Sequence, residues 1–382
     1  MSTTRINSVE QNGFSLGGWH SRRGRRVLLI AELGTSHLGD LQRGFEMIDA
    51  AAESGAHCVK FQWVIADEIV HRRAGEIELP GGKTAIWDRF HQLERERDFY
   101  VRLKEHSEKR GLQFLCSPFG VKSAAELLTL SPQAVKVASP ELNHYPLLES
   151  LMGHPLFLST GVSKLGDIEM ALDYLRSNRR HEDGQEVLLH CITSYPAPEE
   201  EYNLRLLPLL ADLFDVSVGV SDHSEHPSLV PLLAVSRGAR VVEKHFCLSR
   251  SGTGLDDPIA LEPPRFAELS RRIAEAEKRT LTEIEQWCRG EFGDLRVERV
   301  LGDGRKRLAP SEAPFYHRTK RSIVALQNLE AGQRISQRNV ALLRSEQQRP
   351  AGLPPRYWDT VMGAVLRKGV KAAHGLRWEH LL

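Results

Sequence analysis

The sequence predicts an α/β fold, a closed (β/α)8 barrel followed by a small β-rich unit. Three observations carry this reading. Between Val27 and Cys288, eight short apolar runs alternate with segments of helical periodicity. The runs are continuously apolar, as in parallel strands buried on both faces. Polar and ionisable residues gather at the C-terminal ends of the runs, where such a barrel keeps its functional groups. On the count of units alone, a doubly wound open sheet is the alternative.

The chain has 382 residues, enough for one large domain and a small one. With 41% hydrophobic residues, 26% charged and a net charge of +1, it is globular in composition, with no global field for nucleic acid or an anionic membrane. No apolar run reaches the ~18 residues of a membrane span, and no apolar segment follows Met1 as in a signal peptide. Cys58, Cys116, Cys191, Cys247 and Cys288 are far apart with no CxxC pair, so they read as buried free thiols in a reducing cytoplasm.

Residues 1–26 read as a polar N-terminal extension, with Arg22, Arg23, Arg25 and Arg26 at its end. Residues 27–290 hold the barrel. Its first strand is Val27–Gly34, followed by a helix over Leu41–Ser54 that Asp40 caps and Gly55 stops. Strand two, CVKFQW, occupies Cys58–Trp63. A long loop with Pro80, Gly81 and Gly82 leads to a charged helix over Glu94–Arg110. Strands three to eight fall at Leu112–Gly120, Ala134–Glu141, Leu156–Gly161, Val187–Pro196, Val216–His223 and Ala239–Phe246. Helices near Tyr145–Met152, Gly166–Leu175, Leu204–Phe214 and Ser228–Arg237 separate the later strands, and one long helix, Pro264–Cys288, closes the series. Residues 291–318, rich in Arg, Gly and Pro, read as a linker. Residues 319–382 read as the small unit, with strands RSIVAL and NVALLR and turns at Gly332 and Pro350 to Pro355. A unit of that size has little core and is expected to dock on something.

The stretch Val241–Pro263 concentrates charge. Glu243, Lys244 and His245 stand in an apolar strand, where unpaired charge costs several kcal/mol, and a glycine-punctuated loop ending in Asp256 and Asp257 follows. The other strand ends carry Glu32 and His37, Lys60 and Gln62, Ser117, Lys136, Ser139 and Glu141, Ser159 and Thr160, His190, Thr193 and Tyr195, and Ser221, Asp222 and His223. His223 and His245 end neighbouring strands and suit a divalent transition metal with open positions, Asp256 or Asp257 adding a carboxylate directly or through water. Two ordinary barrel-mouth histidines are the alternative. Lys60, Lys136 and Lys244, with Ser117, Ser139, Ser159 and Ser221, suit a phosphate or carboxylate; a Schiff-base lysine or simple solvation is the other reading. Glu32 and Glu141 are acid/base candidates. A metal beside an anion pocket suggests a carbonyl substrate meeting a phosphorylated one.

In order, IAELGTSHLGD, AAESGAHCVKFQ, FLCSPFG, KVASPELNHYPLL, LSTGVSKLGDIEMAL, LLHCITSYPAP, VGVSDHS and VVEKHF resemble the strand motifs of the sialic acid synthase family, which includes N-acetylneuraminate, legionaminate and pseudaminate synthases. The tail resembles that family's antifreeze-like SAF domain. The resemblance implies a TIM barrel plus SAF domain in a cytoplasmic homodimer, each SAF domain capping the partner's barrel. It implies Mn²⁺ or Mg²⁺, and condensation of phosphoenolpyruvate with a 2-acetamido mannose-like aldose. Phosphate is released by C–O cleavage, a step of carbohydrate or polysaccharide biosynthesis. N-acetylneuraminate synthase or a close variant is the leading expectation. A legionaminate or pseudaminate synthase using a 2,4-diacetamido-6-deoxy hexose, or a non-catalytic sugar-binding paralogue, stands beside it.

Carried over residue by residue, His223 and His245 match metal ligands. Lys60, Ser117, Lys136, Ser139, Ser159 and Ser221, and more loosely Thr193, match phosphoenolpyruvate-binding positions. Glu32, Gln62, Tyr195 and Asp256 match sugar-contacting or catalytic positions, and Glu141 the carboxylate that handles the attacking water. The SAF arginine that reaches the sugar is Arg344 by its distance from Asn339, whereas Arg349 holds the local motif with Pro350. Departures are Ala138-Ser139-Pro140-Glu141 in place of Gly-Ser-Gly-Glu, Ser36-His37-Leu38-Gly39 after the first strand, and Asp257 where the family has histidine.

Overall fold

The computed structural model describes residues 14–16, 19–20, 26–79, 82–177, 185–345 and 349–381. Most of the expected extension, Pro80 and Gly81 of the expected loop, and residues 178–184 of the charged loop after Leu175 lie outside the described residues.

Eight strands form one sheet: β1 Leu28–Gly34, β2 Cys58–Trp63, β3 Gln113–Pro118, β4 Val135–Val137, β5 Leu156–Ser159, β6 Glu186–Cys191, β7 Ser217–Asp222 and β8 Val241–His245. Every ladder is parallel and the order is β3-β2-β1-β8-β7-β6-β5-β4. β3 and β4 lie side by side, which closes the ring. The continuous apolar runs follow from this closure, because both strand faces are buried. Outward residues such as Leu29, Val59, Phe61, Leu188, Val220 and Val242 join the helices in the main core.

The inward face is divided along the barrel axis. At the strand starts, Leu28, Ile30, Cys58, Leu115, Phe157, Val187, Leu189 and Val241 form an apolar floor. Phe14 and Leu16, from the segment expected as an extension, belong to this floor, and the Phe14 ring meets Phe157 edge-on at 5.6 Å. A Cβ at Gly219 of β7 would lie 2.5 Å from Val241 O and 2.8 Å from a Leu189 methyl, so the packed interior leaves room there only for hydrogen. The inward positions nearer the strand ends are polar, which places a site at the C-terminal mouth.

Local structure departs from the sequence reading in four places. The expected long helix is two, Pro263–Ala276 and Leu281–Phe292, because Thr280 starts a new one with a capping box. Its Oγ1 accepts from Glu283 N at 3.2 Å, and Glu283 Oε2 accepts from Thr280 N at 2.7 Å. Replacing Thr280 by alanine is expected to cost about 1 kcal/mol in thermal unfolding; no change would show that packing alone defines this helix. The fourth strand stops at Val137, and Ser139–Glu141 is a 3-10 turn with Pro140 inside it. The flanks of the Pro80 loop pair as an antiparallel ribbon, Glu76–Leu79 with Gly82–Ala85. Residues 291–318 contain the helix Asp294–Leu301.

Two antiparallel strands, β9 Arg321–Ala325 and β10 Val340–Arg344, organise the C-terminal unit. Ile323, Val340, Leu353, Val361, Leu366, Val370 and Leu376 supply its own small core. All five cysteines are buried thiols. Among the described residues no helix is long and apolar enough to cross a membrane.

Candidate active site

The two-residue period of a strand decides which strand-end groups reach the mouth. On β8, Glu243 and His245 face the cavity and Lys244 faces away. Lys244 Nζ is held by Asp222 Oδ2 at 2.6 Å and Ser224 O at 2.5 Å, a buried ion pair in the barrel wall. That corrects its expected place among the mouth cations. His190 also turns away, its Nε2 bonded to Tyr202 O at 2.6 Å, and His37 packs beside Phe61 and Phe99.

What remains at the mouth is a polar cavity of about 100 Å³. Its walls are Glu32, Lys60, Gln62, Ser117, Lys136, Ser139, Ser159, Thr193, Tyr195, Ser221, His223, His245 and Asp256, with Phe119, Ala138, Pro140, Cys191 and Glu243. Thus the sequence-predicted site residues converge, apart from Glu141 and Arg344. Glu243 and Cys191 were missed as site residues; for Glu243, the step of two back from His245 was the available signal.

The cations sit in a charge network. Lys60 Nζ lies 2.8 Å from Glu32 Oε2 and 3.6 Å from Glu243 Oε1. Burial works against its ammonium, but Glu243 and Glu32 outweigh burial and raise its pKa. Lys136 donates to Ser159 Oγ at 2.6 Å and Val137 O at 3.1 Å, and burial lowers its pKa. Ser221 donates to Glu243 Oε1 at 2.8 Å. Burial would raise the Glu243 carboxyl, yet Lys60 and Lys136 hold it below the usual range. Glu32 Oε1 accepts from Gln62 Nε2 at 2.8 Å. Among the described residues, Ser117 Oγ and Thr193 Oγ1 are buried without hydrogen-bond partners. Buried hydroxyls are rarely left so, and two of them beside two lysines suit the oxygens of an anion.

The two histidines face each other with ring centres 5.3 Å apart. The half-exposed Tyr195 stacks on His223 at 4.2 Å and stands edge-on to His245 at 5.9 Å. His223 Nδ1 lies 2.7 Å from Ile192 O and must donate to it, leaving Nε2 for a ligand. Burial opposes charge on both rings. At His223 the Cys191 sulfur and the Ile192 carbonyl overcome it and raise the pKa to about 9, so Nε2 carries a proton that a metal would displace on binding, while at His245 burial and the nearby His223 lower it to about 3. Asp256 Oδ2 is 3.8 Å from His245 Nδ1, and burial raises its carboxyl pKa. Among the described residues no group of three or more His, Cys, Asp or Glu side chains forms a metal cage. The two imidazoles are donors of the kind a divalent transition ion takes.

Asp257 has a different task from its neighbour. It is wholly buried, and its Oδ2 accepts from Gly254 N at 2.8 Å. A Cβ at Gly252 or Gly254 would lie 2.2 or 2.5 Å from its carboxylate oxygens, so the glycines and Asp257 form one packed turn that presents Asp256. Asp257 is therefore no ligand at the mouth.

Glu141 lies behind Pro140 and is fully buried. Arg321 Nε donates to its Oε2 at 2.5 Å, and Arg344 Nε donates to its Oε1 at 3.0 Å with a second bond from Nη2. Arg321 and Arg344 are direct partners across β9 and β10. Like charges so placed repel, and Glu141 lies between them. Burial would raise its carboxyl, but the two guanidiniums hold it far below the usual range. Arg321 also donates to the carbonyls of Glu68, Ile69 and Phe119, which anchors the C-terminal unit on the barrel, and to that of Leu342 within its own unit. The Arg344 guanidinium lies 5.3 Å from the ring centre of Phe119, itself part of the cavity wall. Arg349 bonds instead to Arg73 O on the exposed side.

Residues 47–285 match the NeuB family, and residues 320–382 match the SAF domain. Spore coat polysaccharide biosynthesis protein SpsE of Bacillus subtilis is 33% identical over 361 residues, 93% of this chain and 94% of that protein. Its crystal structure has a TM-score of 0.81 at 31% identity, covering 97% of this chain and 99% of that one. N,N'-diacetyllegionaminic acid synthase of Legionella pneumophila is 31% identical over 388 residues, 100% of this chain and 99% of that protein. The crystal structure of an N-acetylneuraminic acid (sialic acid) synthetase from Leptospira borgpetersenii has a TM-score of 0.61 at 29% identity, covering 79% and 94% of the two chains.

Proposed function

The chain belongs to the NeuB family of sialic, legionaminic and pseudaminic acid synthases, and from that premise we propose that it condenses phosphoenolpyruvate with a 2-acetamido mannose-like aldose. The supporting observation is a single cavity that joins a lysine- and hydroxyl-lined anion cradle to two facing imidazoles.

Lys60 and Lys136, with Ser117, Ser139, Ser159, Thr193 and Ser221, bind the phosphate and carboxylate of phosphoenolpyruvate through charge-assisted hydrogen bonds. Glu32, Gln62, Tyr195 and Asp256 orient the open-chain aldose. The methylene carbon of phosphoenolpyruvate forms a C–C bond with the aldehyde carbon. Water adds at the adjacent carbon, and the hydroxyl it leaves there becomes the keto oxygen as phosphate departs with cleavage of its C–O bond, carrying off the hydroxyl proton. Asp256 donates a proton to the aldehyde oxygen as it becomes a hydroxyl. Glu32 takes the proton of the attacking water, and Glu141 serves as the anchor of the C-terminal unit. His223 and His245 hold Mn²⁺ or Mg²⁺, which when bound supplies Lewis-acid polarisation of the aldehyde oxygen.

We read the working assembly as a cytoplasmic homodimer in which each SAF domain caps the partner's barrel. For the sugar, N-acetylmannosamine is the first reading. The full-length similarity to a diacetyllegionaminic acid synthase favours a second, a 2,4-diacetamido-6-deoxy hexose. Phosphate release measured against a panel of aldoses decides between them. Release is expected only with phosphoenolpyruvate, the right aldose and Mn²⁺ or Mg²⁺ together, and it should vanish on chelation. A borohydride-trapped lysine adduct with full activity in EDTA would instead indicate a Schiff-base aldolase. Sugar binding by calorimetry with no turnover of any aldose would indicate a non-catalytic paralogue.

A further inference from the structure

The segment from Gly304 to Glu312 reaches the barrel mouth. It is tied down at Asn203, whose Oδ1 accepts from Gly304 N at 2.6 Å and whose Nδ2 donates to Arg305 O at 2.9 Å. Lys306 then reaches inward and donates to Thr160 O at 3.2 Å. Glu312 is 1% exposed. Its Oε1 accepts from Val162 N at 2.7 Å and from Thr193 N at 2.6 Å, while its Oε2 takes Ala309 N at 3.4 Å.

Val162 N and Thr193 N belong to different loops, those that follow β5 and β6. Buried and unpaired, each would be costly; joined by one carboxylate, they hold the two loops at fixed separation. The packing there is tight. Gly161 N donates to Ser139 Oγ at 3.0 Å, and a Cβ on Gly161 would lie 2.2 Å from Thr193 Oγ1, 2.8 Å from Ser139 Oγ and 3.2 Å from Glu312 Oε1. Glu312 itself is not part of the cavity wall, so it acts through the groups it holds.

We propose that Glu312 is a positioning residue of the anion cradle. It clamps the β5 and β6 loops so that Ser139 and Thr193 present their hydroxyls to the anionic substrate, and it makes the interdomain segment an integral part of that subsite. The inference rests on the reading of the mouth as the phosphoenolpyruvate site. Glu312→Gln keeps an oxygen that can accept from both N–H groups, whereas Glu312→Ala removes it.

The test is calorimetric binding of phosphoenolpyruvate to the full chain, with steady-state phosphate release and circular dichroism in parallel. Glu312→Ala is expected to weaken phosphoenolpyruvate binding and raise its KM by about tenfold or more, with kcat and the aldose KM within about threefold of the parent. Glu312→Gln is expected to restore most of the loss. Parent-like phosphoenolpyruvate affinity in a folded Glu312→Ala overturns the proposal. So does a folded Glu312→Gln as impaired as the alanine variant, which stays informative if alanine misfolds. If the parent chain itself fails to bind phosphoenolpyruvate, the substrate reading falls. The clamp is then tested with inorganic phosphate, where equal affinity in the parent and in folded variants overturns it.

Discussion

The His245→Ala chain is expected to lose phosphate release by about three orders of magnitude while its unfolding temperature stays within a few degrees of the parent. His245 ends β8 with its ring in the cavity and belongs to none of the hydrophobic cores. The strand is held by backbone pairing with β1 and β7, which a side-chain truncation leaves in place. The loss falls on chemistry instead. Burial keeps the His245 imidazole neutral, the form that offers a lone pair to a metal, and without it only one imidazole remains at the mouth. Metal content gives an independent readout: bound Mn²⁺ should drop with activity. Full turnover, or undiminished metal in the purified variant, would sink the assignment of His245 as a ligand.

Removing the charge of Glu141 should have the largest effect on stability. Glu141→Gln leaves the Arg321 and Arg344 guanidiniums buried without a counter-charge, a change expected to cost about 3–5 kcal/mol. The loss should appear as undocking of the C-terminal unit, read as faster amide exchange and proteolysis along β9 and β10. A double-mutant cycle with Arg321→Met should show strong coupling, because Arg321→Met removes one of the two guanidiniums that Glu141→Gln leaves without a counter-charge. Independent, additive effects would show that the clamp does not hold the unit. The pH dependence has a definite sign. The folded pKa of Glu141 is depressed below its ordinary value of 4.5. Its contribution is therefore fully present above that ordinary value and is lost as pH falls from there toward the depressed one. Docking should be flat between about pH 6 and 8 and weaken below about pH 4.5. A loss of docking within the neutral range would assign control to another group.

The barrel was legible because its physics is local. An apolar run buried on both faces looks the same whichever neighbours it meets, so strand positions such as Cys58–Trp63 could be read from the chain. The mouth was legible for the same reason, since strand ends collect its polar groups. What failed to show depends on partners far along the chain. Lys244 looks like a mouth cation until Asp222 on the neighbouring strand is seen to hold it in the wall. Arg321 opens an ordinary-looking strand, and only the folded chain brings Glu141 to it. Glu312 lies in a segment whose composition suggests a linker, and its two partners are on separate loops. The break at Thr280 is a different case. The Thr280–Glu283 signature was visible, but amphipathic periodicity continuing on both sides hid it.

The β1–β8 ladder sets an order of assembly. Glu32 of the first strand and His245 of the last are partners in register across that seam. During synthesis β1 is made early and must wait, one edge unpaired, until nearly the whole barrel has left the ribosome. Contacts so distant in sequence form slowly, because a long loop must close before they are gained. No shorter N-terminal fragment, however many strands it contains, can bring the Glu32 carboxylate and the His245 imidazole together. The pairing that brings β8 to β1 therefore also completes the mouth, and chains folded without it stay chemically silent.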